Sequence, residues 1–221
     1  MTKPKVTEKI LHIPVSESIG AVSAVILEPS SCTAMMTLAH GAGAGMNHTF
    51  MVRLAQTLAE LSIGTIRFNF PYMEHGKKRP DMPATAHKTI EQIIEFAEQH
   101  YPALPLYVSG KSFGGRMTSQ LLAKKTFSQV KGIIFYGFPL HPAGAPAVDR
   151  SEHLHEVAIP MLFLQGTKDT LAQWDLITKV TSSLSAAKLI SFEGADHSFK
   201  VKKNELIPEL AEATRSFIQS L

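Results

Sequence analysis

Apolar positions along the chain change period repeatedly, and each change marks an element. Ile10–Val15 and Ala21–Leu27 read as short strands joined by the polar Ser16–Gly20 turn, an N-terminal hairpin. Thr33–His40 is a continuous apolar run stopped by a glycine-rich loop. Helical spacing follows over Thr49–Leu61, where Met51, Leu54, Ala55, Leu58 and Leu61 share a face. Gly64 is expected to close that helix in the left-handed region. The alternation continues with strand Thr65–Phe70, helix Thr85–His100 (Ile90, Ile93, Ile94 and Ala97 inward), strand Leu106–Ser109 and helix Phe113–Lys125. Strands Val130–Phe138 and Met161–Gln165, helix Gln173–Ser183, strand Lys188–Phe192 and helix Leu206–Leu221 complete it.

Unbroken apolar runs such as Phe135–Phe138 and Met161–Gln165 suit strands buried on both faces. Strand–helix repetition then predicts an α/β fold, a mostly parallel central sheet with helices on both faces. Right-handed crossovers bring the C-terminal ends of the strands to one edge, where open sheets of this kind bind ligands. The chemistry is therefore sought just after each strand.

Composition narrows the class. The chain has 221 residues, 44% hydrophobic and 19% charged, which fits one domain over 1–221 and excludes wholesale disorder. No apolar run reaches the ~18–20 residues of a membrane span, and the polar stretch Met1–Glu8 has no signal-peptide core. Cys32 is the single cysteine, so no internal disulfide forms. A cytoplasmic setting with no membrane partner is expected. The net charge is +3, and the basic cluster Lys77-Lys78-Arg79 is only loop-sized, so no nucleic-acid partner is expected.

After the Leu106–Ser109 strand the chain reads Gly110-Lys111-Ser112-Phe113-Gly114-Gly115, a G-x-S-x-G pattern between a predicted strand and a predicted helix. A serine on so tight a turn exposes its hydroxyl above the sheet, and only small residues fit two positions either side. The helix that starts there aims N–H groups and its positive end at the serine. After Met161–Gln165 comes Gly166-Thr167-Lys168-Asp169, and after Lys188–Phe192 comes Gly194-Ala195-Asp196-His197. A serine nucleophile needs a base, histidine has a suitable pKa, and a carboxylate fixes the histidine tautomer. Ser112, His197 and Asp169 are the candidate catalytic residues, in the order Ser…Asp…His. Asp149 and Asp196 are weaker candidates for the acid. The loop His40-Gly41-Ala42-Gly43-Ala44-Gly45 is the candidate oxyanion loop. The hole is assigned to the N–H groups of Phe113 and Ala42, with Gly43 second to Ala42.

His40, Gly41, Glu74 and Lys111 are candidate substrate-binding residues because they follow strand ends, and Lys77–Arg79 lies near the same edge. His48 flanks the oxyanion loop and is expected to shape it. His153-x-His155 with Asp149 falls in a predicted loop without a completing ligand, so no metal is assigned. Two nucleotide-binding mimics fail at particular positions. A P-loop ending in Gly110-Lys111-Ser112 needs a glycine where Pro105 stands, and a dinucleotide fingerprint from Gly41 needs one where Met46 stands.

GKSFGG, HGAGAG, GTKD and GADHSF together resemble the nucleophile elbow, oxyanion loop, acid loop and histidine loop of the α/β-hydrolase superfamily. The compact form is similar to its dienelactone-hydrolase-like branch. Asn69-Phe70-Pro71-Tyr72 and Arg79-Pro80-Asp81 also resemble the hydrolase-like domains related to testis-expressed and NSL-complex subunits. The resemblance implies an eight-stranded sheet and a hydrolase without cofactor. Ser112 stands where dienelactone hydrolases carry cysteine, so lactone chemistry is not carried over. About twenty residues separate Phe138 from Met161, too few for a large cap domain. The expected activity is a serine hydrolase acting on small-molecule esters or thioesters. The alternative is a binding or scaffold module with a vestigial triad.

Overall fold

Neighbouring residues of the inner strands point into two separate cores, and that division sets the architecture. The computed structural model describes residues 4–221, so the first three residues of the polar N-terminal stretch lie outside the described residues. In chain order the elements are β1 (Val6–Ser16), β2 (Gly20–Pro29), β3 (Ala34–Ala39), α1 (Thr49–Glu60), β4 (Ile63–Phe68), α2 (Pro71–Glu74), α3 (Pro83–His100) and β5 (Leu106–Lys111). Then come α4 (Phe113–Leu122), β6 (Val130–Tyr136), β7 (Met161–Gly166), α5 (Trp174–Ser182), β8 (Ala187–Phe192), the short β9 (Lys200–Val201) and β10 (Asn204–Glu205), and α6 (Ile207–Gln219).

The eight-stranded sheet has the order β1-β2-β4-β3-β5-β6-β7-β8. β2 runs antiparallel to both neighbours, and β3 to β8 are parallel. Val108, Phe135 and Phe163 join the core that holds α3, α4 and α5. Tyr107, Ile134 and Leu162 join the core that holds α1 and α6. Burial on both faces explains the unbroken apolar runs. Between β6 and β7 only a 3₁₀ helix, Asp149–Glu156, intervenes, and no large cap covers the sheet edge. Its His153 shares a 2.8 Å hydrogen bond with Ser119 on α4, and burial pushes His153 down to about 4. No helix among the described residues is long and apolar enough to cross a membrane.

Two local expectations change. α3 begins at Pro83 rather than Thr85, because proline supplies a helical φ and needs no hydrogen bond in the first turn. Gly64 does not close α1. The left-handed residue after that helix is Ser62 (φ 64), and Gly64 lies inside β4. A Cβ on Gly64 would sit 2.9 Å from Cys32 Sγ and would also overlap Met35 Sδ. Glycine is demanded there by side-chain packing, not by a turn.

Candidate active site

Ser112 alone separates β5 from α4, and its backbone is left-handed (φ 50, ψ −114). Such a conformation costs a non-glycine residue about 1–3 kcal/mol and persists only where the surroundings enforce it. Here they do. A Cβ on Gly110 would lie 2.5 Å from the Gly114 carbonyl carbon, and one on Gly115 would lie 2.8 Å from Gly110 O. A Cβ on Gly114 would lie 2.5 Å from Ala39 O and 2.7 Å from His40 O. The glycines let the helix fold back onto its own strand and against the end of β3, and the Ser112 hydroxyl is left above the sheet.

The loops after β7 and β8 are sewn together. Thr167 N–H donates to Phe192 O (3.1 Å), Lys168 N–H to Ala195 O (3.0 Å) and Gly194 N–H to Thr167 Oγ1 (2.9 Å). Gly166 permits this approach, because a Cβ there would be 2.8 Å from Asp196 O. The stitched loops deliver a continuous relay: Ser112 Oγ is 2.8 Å from His197 Nε2, and His197 Nδ1 is 2.7 Å from Asp169 Oδ2. An ionised carboxylate only accepts, so Nδ1 carries the proton and Nε2 offers its lone pair to the serine hydroxyl. The Asp169 side chain is 1% exposed and that of His197 is 23% exposed, so the acid is sheltered and the base opens to solvent.

Asp169 is held from two further sides. Leu171 N–H donates to its Oδ1 at 2.8 Å, and Gln165 Nε2 donates to its Oδ2 at 2.5 Å. Gln165 in turn accepts from Phe138 N–H at 2.9 Å. Sequence reasoning missed Gln165 because it reads as the last residue of an apolar strand; an amide ending the apolar run Met161–Leu164 was the available signal, and the structure buries it fully. The rival acids do not reach His197. Asp196 Oδ1 accepts from Ser198 N–H (2.8 Å) and Lys200 N–H (2.9 Å), and Asp149 is exposed at the start of the 3₁₀ helix.

The glycine loop after β3 lies against the serine, since a Cβ on Gly41 would be 3.7 Å from Ser112 Cβ. Tyr72 Oη accepts from Gly43 N–H at 2.9 Å, and Asn69 Oδ1 accepts from Met46 N–H at 2.8 Å. Asp81 accepts from Tyr72 N–H at 3.1 Å. The Asn69–Tyr72 and Arg79–Asp81 phrases thus buttress the loop. The Gly43 donor is consumed, which removes it as an oxyanion donor. Phe113 opens α4, so its N–H has no acceptor within the helix. Ala42 is exposed, and its N–H has no hydrogen-bond partner among the described residues.

Two expected substrate contacts are placed elsewhere. Glu74 accepts from Ser23 N–H (2.9 Å) and Ser23 Oγ (3.1 Å), which ties α2 to β2 and takes it out of the cleft. His40 is fully buried: its Nδ1 donates to Gly41 O (2.8 Å) and its Nε2 accepts from Phe70 N–H (3.1 Å). Lys77–Arg79 is an exposed loop away from the cleft lining. His48 caps α1 by accepting from Phe50 N–H at 3.2 Å and also lines the cleft.

Burial pushes His40 down to about 4. The unfolded chain takes up that proton near ~6.5, so between the two values the unfolded state binds more protons and stability falls as pH drops. Urea unfolding at about pH 4.5 should show a loss of about 2–3 kcal/mol from this group relative to about pH 7. His40→Gln should remove this share of the slope and leave that of His153, and an unchanged slope in the variant would exclude this assignment.

The relay opens into a cleft of about 540 Å³. Phe50, Met51 and Leu171 form its apolar wall, Gly41 and Ala42 flank Ser112, and Lys200 and Glu205 lie at its rim. Among the described residues, no three His, Cys, Asp or Glu side chains are placed to share a metal ion.

The family model described as the alpha/beta hydrolase domain matches residues 32–219. The chain belongs to that family. Solved structures similar to this α/β-hydrolase domain include dienelactone hydrolase from Anabaena variabilis (TM-score 0.77, 15% identity, 99% of each chain covered). A serine hydrolase without lid from Xanthomonas campestris aligns with TM-score 0.76 and 18% identity over 97% of this chain and 95% of that one. Est1E from Butyrivibrio proteoclasticus with bound ferulic acid aligns with TM-score 0.75 and 15% identity over 95% of this chain and 98% of that one. At these identities the likeness is one of fold, and it extends to the lidless sheet edge.

Proposed function

We propose that the protein is a serine hydrolase that cleaves carboxylic esters or thioesters through an acyl-enzyme. The observation that carries this reading is the relay from Ser112 Oγ through His197 to Asp169, with contacts of 2.8 and 2.7 Å. His197 Nε2 takes the hydroxyl proton as Ser112 Oγ bonds to the substrate carbonyl carbon. Phe113 and Ala42 N–H groups receive the oxyanion, and Asp169 stabilises the imidazolium. The imidazolium returns its proton to the departing alkoxide or thiolate, which leaves an acyl-Ser112. Water, deprotonated by the same histidine, then attacks the acyl carbon, and Ser112 recovers its proton as the carboxylic acid departs.

The cleft volume suits a small or flexible acyl compound, and the apolar wall supports an acyl chain rather than a highly charged one. Ferulic acid, a carboxylic acid, is what the similarly folded Est1E holds, which supports an acyl substrate here. The lidless, dienelactone-hydrolase-like shape supports the compact branch of the family and an open cleft.

The experiment is fluorophosphonate labelling with mass-spectrometric mapping, followed by a panel of 4-nitrophenyl esters of increasing chain length. The label is expected on Ser112. A folded protein that takes no label would favour the binding-module alternative. Asp169→Asn should reduce kcat/KM by roughly 10²–10⁴-fold, because the amide no longer enforces the Nδ1–H tautomer. Asp149→Asn should leave kcat/KM unchanged; the reverse pattern would move the acid to the loop after β6.

A further inference from the structure

Lys111 ends β5 beside the serine, yet its ammonium is turned toward the histidine loop. Lys111 Nζ donates to the main-chain carbonyl of His197 at 2.6 Å. It also lies 5.8 and 5.5 Å from the ring centroids of Phe50 and Phe199. Two glycines make room for the side chain. A Cβ on Gly41 would be 3.6 Å from Lys111 Cγ, and one on Gly137 (φ +75) would be 3.1 Å from Lys111 Nζ and 3.4 Å from His197 Nδ1 and Cε1. Ammonium and imidazole therefore share the space beside Gly137.

A methionine would fill the same volume without burying a charge. The lysine instead carries a desolvation cost, visible as its shift down to about 8, against which Asp169 and Asp196 act. What the donated hydrogen bond accomplishes is local. The carbonyl it holds belongs to His197 itself, so the contact restrains the one residue whose Nε2 must stay on Ser112 Oγ. The carboxylates that act on the ammonium are Asp169 on the β7–α5 loop and Asp196 on the histidine loop. His48, Lys200 and Glu205 also line the cleft.

We propose that Lys111 is a positioning residue for His197: it holds the histidine loop by its carbonyl and so keeps Nε2 in reach of Ser112 Oγ. The proposal rests on the Ser112–His197 chemistry above.

Lys111→Met keeps the length and removes both donor and charge. With 4-nitrophenyl acetate, kcat should fall roughly 10–100-fold with little change in KM, the size of effect that slight misplacement of a base produces. Lys111→Arg keeps a donor and should restore only part of kcat, since a guanidinium overfills the space beside Gly137. A merely structural lysine would lower Tm and leave kcat of the folded fraction at the native value. Amide hydrogen exchange across residues 194–199 should quicken in Lys111→Met, because the loop loses the contact at the His197 carbonyl. If Lys111→Met does not fold, Lys111→Gln carries the same comparison. Native kcat, or unchanged exchange in the folded variant, overturns the proposal. Absence of fluorophosphonate labelling in the native protein would instead sink the serine-hydrolase reading, and the exchange measurement would still decide the Lys111 contact.

Discussion

Replacing Ser112 by alanine is expected to lower ester hydrolysis by roughly 10³–10⁶-fold and to abolish fluorophosphonate labelling, while the protein stays folded. The large effect follows from position: the hydroxyl is the group that His197 Nε2 meets, at 2.8 Å. The small effect on folding follows from the same geometry. Alanine suffers the same φ 50 backbone as serine, so the strain is unchanged. The histidine nitrogen left without its partner belongs to a side chain 23% exposed, where water takes its place. His197→Ala should cost about as much as Ser112→Ala, and the double variant little more, because the two act as one unit. Hydrolysis by Ser112→Ala at the native rate would place the nucleophile elsewhere.

A large loss of stability is expected from Gly114→Ala. Its new Cβ would fall 2.5 Å from Ala39 O and 2.7 Å from His40 O, both rigid backbone at the end of β3. No rotamer relieves that overlap. α4 must move off β3, and with it go the turn that carries Ser112 on one side and the glycine loop after β3 on the other. Overpacking of a tight contact costs typically about 1–3 kcal/mol, and backbone on both sides puts this site at the upper end or beyond. Urea unfolding should show a lower midpoint, and the fraction that remains folded should hydrolyse esters more slowly as well. Gly43→Ala is the useful contrast. Gly43 has φ 73 and no atom within 4 Å of an added Cβ, so only left-handed strain of about 1 kcal/mol is expected. Equal losses in the two variants would mean that crowding is not what excludes a side chain at the elbow.

Much of the frame could be read from the chain because its signals are local. Apolar runs with helical or strand period placed the main elements, usually within two residues, since burial on one or both faces dictates that period directly. Ser112, Asp169 and His197 could be singled out because each follows a strand end, and right-handed crossovers gather those ends on one edge. Boundaries moved where a local residue had two readings. Gly64 looked like a helix stop, and pairing with Met35 of β3 made it part of a strand.

Other assignments depended on partners far away in sequence. Which aspartate meets His197 is decided by the stitching of the β7 and β8 loops, and which loop N–H is free is decided by Tyr72, whose hydroxyl occupies Gly43. Glu74 pairs with Ser23 away from the cleft lining, Gln165 entered the site from inside a strand, and Lys111, which lines the cleft, also donates to the His197 carbonyl. Periodicity reports which face of an element is dry. A hydrogen bond between distant loops is chosen by distance and direction, and those exist only once the sheet has assembled.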